Sequence, residues 1–189
     1  MSNEQIAETA RAIKQSFRLY MNGVTSQSMR QKGAAYNINW GASLQHLREM
    51  AAGYRPDRRL AEELWKNDVR ECKLMAILLM PPADMDMETA CEWMGQAHNP
   101  ELAELAAMQL FPSMPQALQL ADRLLGEVRG LCQLAGVHLV TRLVMHGAVT
   151  SRQAYGRYGK AIARMSETSQ GTLRHAASNC MLRMEPSDE

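Results

Sequence analysis

Hydrophobic residues recur at helical spacing almost without a break from Gln5 to Met184, and Gly, Pro or Asn cuts the pattern into short lengths. This constrains the fold more than any other feature. Stripes with a period of about 3.6 residues cannot supply the alternating face of a sheet and must be buried helix against helix. The first stripe, over 5–21, carries Ile6, Ala10, Ile13 and Phe17 and is stopped at Asn22-Gly23. A short helix is expected over 26–36, capped by Thr25 or Ser26, and another over 40–52 with Leu44, Leu47 and Met50 on one face. Arg55-Pro56-Asp57 opens a helix carrying Leu60, Ala61, Leu64 and Trp65. Asn67-Asp68 breaks it and caps a strongly apolar helix over 69–80, which Pro81-Pro82 ends.

A helix over 86–97 follows. Asn99 then offers an N-cap, Pro100 suits the first helical position, and Glu101 complements the helix dipole. That helix is expected to reach Leu110 or Phe111, before Pro112 and Pro115. Three more are expected over 116–125, 128–146 and 151–165, and a last one over 172–184. Links this short make neighbouring helices antiparallel, so about eleven helices form a single domain over 1–184, either stacked as hairpins in a solenoid or packed as a compact orthogonal bundle, with an acidic frayed tail at 185–189. Fifteen methionines suit adaptable helix packing.

No run of apolar residues is long enough to span a bilayer, and the polar N-terminus lacks a secretory h-region. Cys72, Cys91, Cys132 and Cys180 are widely separated, as reduced thiols of a cytoplasmic protein would be. There is no Gly-rich phosphate loop, no G-x-S-x-G elbow and no histidine pair at zinc-binding spacing, so no cofactor or metal is expected. His138, on the most apolar helix, reads as a hydrogen-bonded core histidine.

The net charge of +1 conceals an uneven distribution. Residues 1–80 carry 12 basic and 8 acidic side chains, 81–127 carry 1 and 8, and 128–184 carry 8 and 1. Basic flanks about an acidic centre fit a polyanion held at its edges. Arg157, Lys160 and Arg164 fall on one helix face and form, with Arg152, a basic stripe with tyrosines nearby, suited to phosphate or to solvent. Arg55, Arg58 and Arg59 cluster at a helix start, where free amides also favour an anion.

The block over 38–79 holds Trp40-Gly41, then Arg48, then Leu60-Ala61-Glu62-Glu63-Leu64-Trp65, then Arg70-Glu71 opening an apolar helix. This combination resembles the HEAT-like-repeat DNA alkylation repair family, over about residues 5–110. The resemblance implies an α-α superhelix, a HEAT-like-repeat solenoid, whose concave face holds duplex DNA through residues that include Trp40 and Arg48. It also implies excision of N3- or N7-alkylated purines without cofactor or metal; the oligomeric state stays open, with a monomer favoured. Such purines are cationic, so their glycosidic bond is already weak, and a fixed carboxylate stabilises the positive charge that develops on the sugar. The family's Trp-x-x-x-Asp signature falls here on Pro100-Glu101-Leu102-Ala103-Glu104. Glu104 can stand for the Asp, whereas Pro100 has no cation-binding face. Trp93 is a candidate substitute, and Arg129 and Arg142 are both open as the family's later Arg. The resemblance thus leaves two expectations, an alkylpurine glycosylase with Glu104 as its catalytic carboxylate, or an inactive DNA-binding module or protein scaffold.

Overall fold

The computed structural model describes residues 2–33 and 36–185, so the acidic end at 186–189 lies outside the described residues. The fold is all-α. Eleven α-helices are present among the described residues, and the one β interaction there is an isolated parallel bridge between Ile38 and Val69. The residues group into two compact units, Met1–Met85 and Asp86–Glu189.

The first unit contains α1 (Asn3–Ser16), α2 (Gly23–Gln31), α3 (Leu44–Ala52), α4 (Arg58–Trp65) and α5 (Arg70–Leu79). Ser2 and Gln5 form a capping box at the start of α1. The 17–20 segment tightens into a 3₁₀ turn, and Asn22 begins the next helix instead of ending the first, because its side chain accepts from the Thr25 amide. Helix α3 starts later than expected, at Leu44, after the N-cap Ser43, whose hydroxyl accepts from the His46 amide. The preceding stretch, 38–42, is held extended by α5. Glu71 accepts from the Trp40 amide at 3.1 Å and the Ala42 amide at 3.2 Å, while Arg70 donates to the Ala42 carbonyl at 2.8 Å. Arg70 and Glu71 are 1% and 0% exposed and paired at 3.1 Å. Asp68 does not cap α5. Its carboxylate accepts from the Asn37 amide, and its carbonyl from Ile38.

Helices α4 and α5 pack as a hairpin, with α1 against α4 and α3 against α5. Leu60, Leu64, Leu74, Met75 and Ile77 fill the core. Lys73 is buried there. Its ammonium donates to the Trp65 carbonyl at 2.6 Å and lies 4.3 Å from the Trp65 ring centroid. A cation at the carbonyl end of α4 meets the negative pole of that helix and an aromatic face together. Burial nevertheless lowers the Lys73 pKa, against the opposing influence of Asp68.

The second unit is organised on α9 (Gly130–Met145), whose Leu134, Val137, Leu139, Val140 and Leu143 are all buried. Packed against it are α6 (Met87–Gln96), α7 (Pro100–Leu105), α8 (Ala117–Gly126), α10 (Ser151–Thr168) and α11 (Gly171–Met184). Helices α8 and α9, and α10 and α11, form hairpins with short links. Gly136 permits the first of these approaches, since a Cβ there would lie 3.0–3.1 Å from Leu125.

Candidate functional site

Residues 99–110 depart from the expected continuous helix. The α-helix ends at Leu105, and Ala106–Leu110 form a π-helical turn leading into the 3₁₀ turn Phe111–Ser113. Such wide turns recur near functional sites because they displace side chains from the α-helical register. Asn99 occupies the N-cap position but makes no side-chain cap bond. It is 7% exposed and its side-chain amide nitrogen has no hydrogen-bond partner among the described residues. Capping therefore does not account for the Asn99 side chain, and the expectation that it does is corrected.

Glu104, one residue before the end of α7, is half-buried. Its charge reaches His138 on α9. Burial is the main influence on that imidazole and lowers its pKa, Glu104 raises it, and Arg142 lowers it. His138 and Arg142 line a recess of about 280 Å³ with Met108 of the π-helical turn and with Asn179 and Arg183 of α11. A carboxylate, a predominantly neutral imidazole and two guanidiniums thus lie in one neighbourhood. Arg129, the other candidate for the family's later Arg, instead donates to the Gly95 carbonyl. Trp93 is 3% exposed, in the core beside Ala90 and Met94, and offers no open face to a ligand. Pro100 is half-buried and holds the first position of α7.

The basic residues of α10 form a separate group. Arg157, Lys160 and Arg164 line one groove of about 710 Å³, closed on its other side by Leu125, Glu127 and Gln133. Arg152 is exposed on the first turn of α10, which Thr150 and Gln153 cap reciprocally. Arg157 is not free. It forms a two-point pair with Asp122 of α8, whose Nε–Oδ1 separation is 3.0 Å, and it lies 5.5 Å from the Tyr158 ring centroid. The acidic middle of the sequence therefore neutralises part of the basic C-terminal stretch in space. Glu104 does not line this groove.

In the first unit, Trp40 is half-buried and borders two recesses. One, of about 580 Å³, lies against Met21, Gln27, Arg30 and Ile38. The other, of about 200 Å³, is edged by Arg11, Lys14 and Arg18. Arg48 is exposed on α3 and lines neither. The cations beside Trp40 had a sequence signal. The spacing Arg-x-x-Lys-x-x-x-Arg stands at 11–18 and again at 157–164. Two of the three cations at the start of α4, Arg58 and Arg59, are engaged otherwise. Asp57 caps the helix, Arg58 pairs with Glu62 at 2.7 Å and donates to the Asp84 carbonyl, and Arg59 donates to Asn3.

Comparison with known proteins fixes first the fold and then the family. A solved structure from a new family of proteins related to the HEAT-like repeat DNA glycosylases, with affinity for branched DNA structures, superposes with a TM-score of 0.78. The match covers 92% of this chain and 74% of that one at 17% sequence identity, and shows the HEAT-like-repeat fold. The sequence pattern of the DNA alkylation repair enzyme family matches residues 13–181, so the chain belongs to that family. No curated protein matches it. Among the described residues, no cluster of three or more His, Cys, Asp or Glu could hold a metal ion, and no helix is long and apolar enough to cross a membrane.

Proposed function

We propose that this chain is a DNA-binding member of the family that holds duplex DNA by its phosphates through α10. The observation that carries the reading is the alignment of Arg157, Lys160 and Arg164 along a single groove. Phosphate contacts of this kind give affinity that falls steeply with salt and carries little sequence information. Four free thiols suit a reducing cytoplasm. Branched DNA belongs among the substrates tested, because the structural neighbour is described as having affinity for it. The test is DNA binding over a salt series. The triple variant Arg157→Gln, Lys160→Gln, Arg164→Gln is expected to lower the slope of log K against log salt by about 2 to 3. An unchanged slope would remove α10 from the interface, and no binding even at low salt would favour a protein scaffold.

A second reading, excision of alkylated purines, is favoured by the half-buried Glu104 beside His138 and the Arg142 recess. In it, Glu104 faces the sugar of a cationic alkylpurine and stabilises the oxocarbenium charge as the glycosidic bond breaks. Without an aromatic partner at Pro100, the carboxylate supplies less than the family signature would. Single-turnover release of N7-methylguanine from a duplex decides it. Release above the spontaneous rate that falls at least tenfold in Glu104→Gln supports the assignment. Release unchanged in Glu104→Gln would take the role from Glu104, and no release would leave a binding module.

A further inference from the structure

We propose that Trp40 and its two flanking recesses form a binding site for an unpaired nucleotide of single-stranded DNA. The inference specifies the kind of DNA bound and rests on the DNA-binding reading above. Trp40 is held by its backbone. Its amide donates to Glu71, and its carbonyl accepts from the Asn22 amide at 2.9 Å. The indole is therefore presented by a fixed strap and is not itself the support of that strap. The larger recess offers a surface for a base, with exposed Met21 and Ile38 as apolar walls. Gln27, exposed at its rim, has no side-chain partner among the described residues and can meet a base edge.

Charge selects the ligand. Arg30 borders the first recess, Arg11, Lys14 and Arg18 border the second, and among the described residues no acidic side chain lines either one. Lys14 donates to the Asn67 side chain at 2.8 Å, while Arg11, Arg18 and Arg30 have no partner among the described residues. An aromatic residue that borders two recesses, each with cations in its lining, matches a strand whose base stacks and whose flanking phosphates are neutralised. A duplex keeps its bases stacked on one another, so it can use the cations but not the ring.

The protein carries its own reporter. Trp65 and Trp93 are 4% and 3% exposed, which leaves Trp40 as the tryptophan that a ligand reaches. The experiment titrates the full chain with a short thymidine oligomer and with a blunt duplex, following tryptophan emission and the anisotropy of labelled DNA. The single strand is expected to quench the emission and the duplex to leave it unchanged. Trp40→Ala should weaken strand binding about tenfold. Trp40→Phe should keep most of the affinity and lose the quench. Arg11→Gln with Arg18→Gln, at exposed positions that leave the strap intact, should lower the single-strand salt slope by about 1.4. Strand affinity unchanged in Trp40→Ala, or equal quenching by duplex, would overturn the site. If duplex binding persists while strand binding ignores Trp40, this inference alone fails; if neither DNA form binds, the DNA-binding reading fails with it.

Discussion

Arg70 and Glu71 are nearly inaccessible to water, and each faces the 38–42 strap as well as the other. Removing one member of a buried pair costs about 3–5 kcal/mol, because a charge is left without compensation. Glu71→Ala should lose stability of that order in urea unfolding. Replacing both by apolar residues is often neutral elsewhere. Here Arg70→Met with Glu71→Leu should stay destabilised, since the Trp40 and Ala42 amides lose their acceptor. A double variant as stable as the parent would show that the strap does not need the pair. His138 gives a second test. Its folded pKa lies below 6.5 because burial outweighs the attraction of Glu104. Below that unfolded value the unfolded chain binds more protons, so stability should fall as pH drops from 6.5 through the lowered folded value. His138→Gln should flatten this slope. Glu104→Gln removes the influence that raises the imidazole pKa, so NMR titration should find it lower still, and an upward shift would contradict their electrostatic contact.

Helix boundaries show what the linear pattern carried and what it did not. The periodicity of Leu60, Ala61, Leu64 and Trp65 placed α4 correctly, because one buried face and an Asp57 cap are both local features. The start of α3 was not local. Trp40 to Ala42 could continue a helix, and only acceptors on α5, some thirty residues away, hold them extended. The π-helical turn after Leu105 was equally hidden, since Ala106-Ala107-Met108 favours α-helix on propensity. At the candidate site, the shared face of Arg157, Lys160 and Arg164 was legible from its spacing, whereas Arg152 does not line that groove and the Asp122 partner on another helix was not legible. Gly41 tests the strap at this scale. Its φ is +76°, and a Cβ would stand 2.2 Å from the Asn22 carbonyl oxygen and 2.8 Å from the Ser26 amide nitrogen. Both are backbone atoms of the first hydrogen bond of α2. Gly41→Ala should therefore cost more than about 2 kcal/mol and lower Tm by roughly 5 °C or more. A Tm within a degree of the parent would mean that the 38–42 strap yields easily.

For the whole molecule, a net charge of +1 gives little long-range attraction to a polyanion. On the proposed DNA-binding reading, affinity must then come from local groups of cations, such as the α10 group that Asp122 meets. The ion pair between Asp122 and Arg157 is exposed at 43% and 47%, so the pair itself adds little to folding stability. On the proposed reading, its larger consequence is to withhold one cation of the α10 groove from a phosphate. Asp122→Asn releases that guanidinium and removes a repulsive charge, so it should raise duplex affinity a few-fold, the equivalent of up to about 1 kcal/mol, and steepen the salt dependence. Arg157→Gln should do the reverse. Arg174→Gln, which removes an exposed cation of α11 that lines neither the α10 groove nor the Trp40 recesses, is the control for net charge alone. If Arg174→Gln weakens binding as much as Arg157→Gln does, the chain responds to its total charge. If Asp122→Asn and Arg157→Gln move affinity in opposite directions while Arg174→Gln leaves it unchanged, duplex DNA is held along α10.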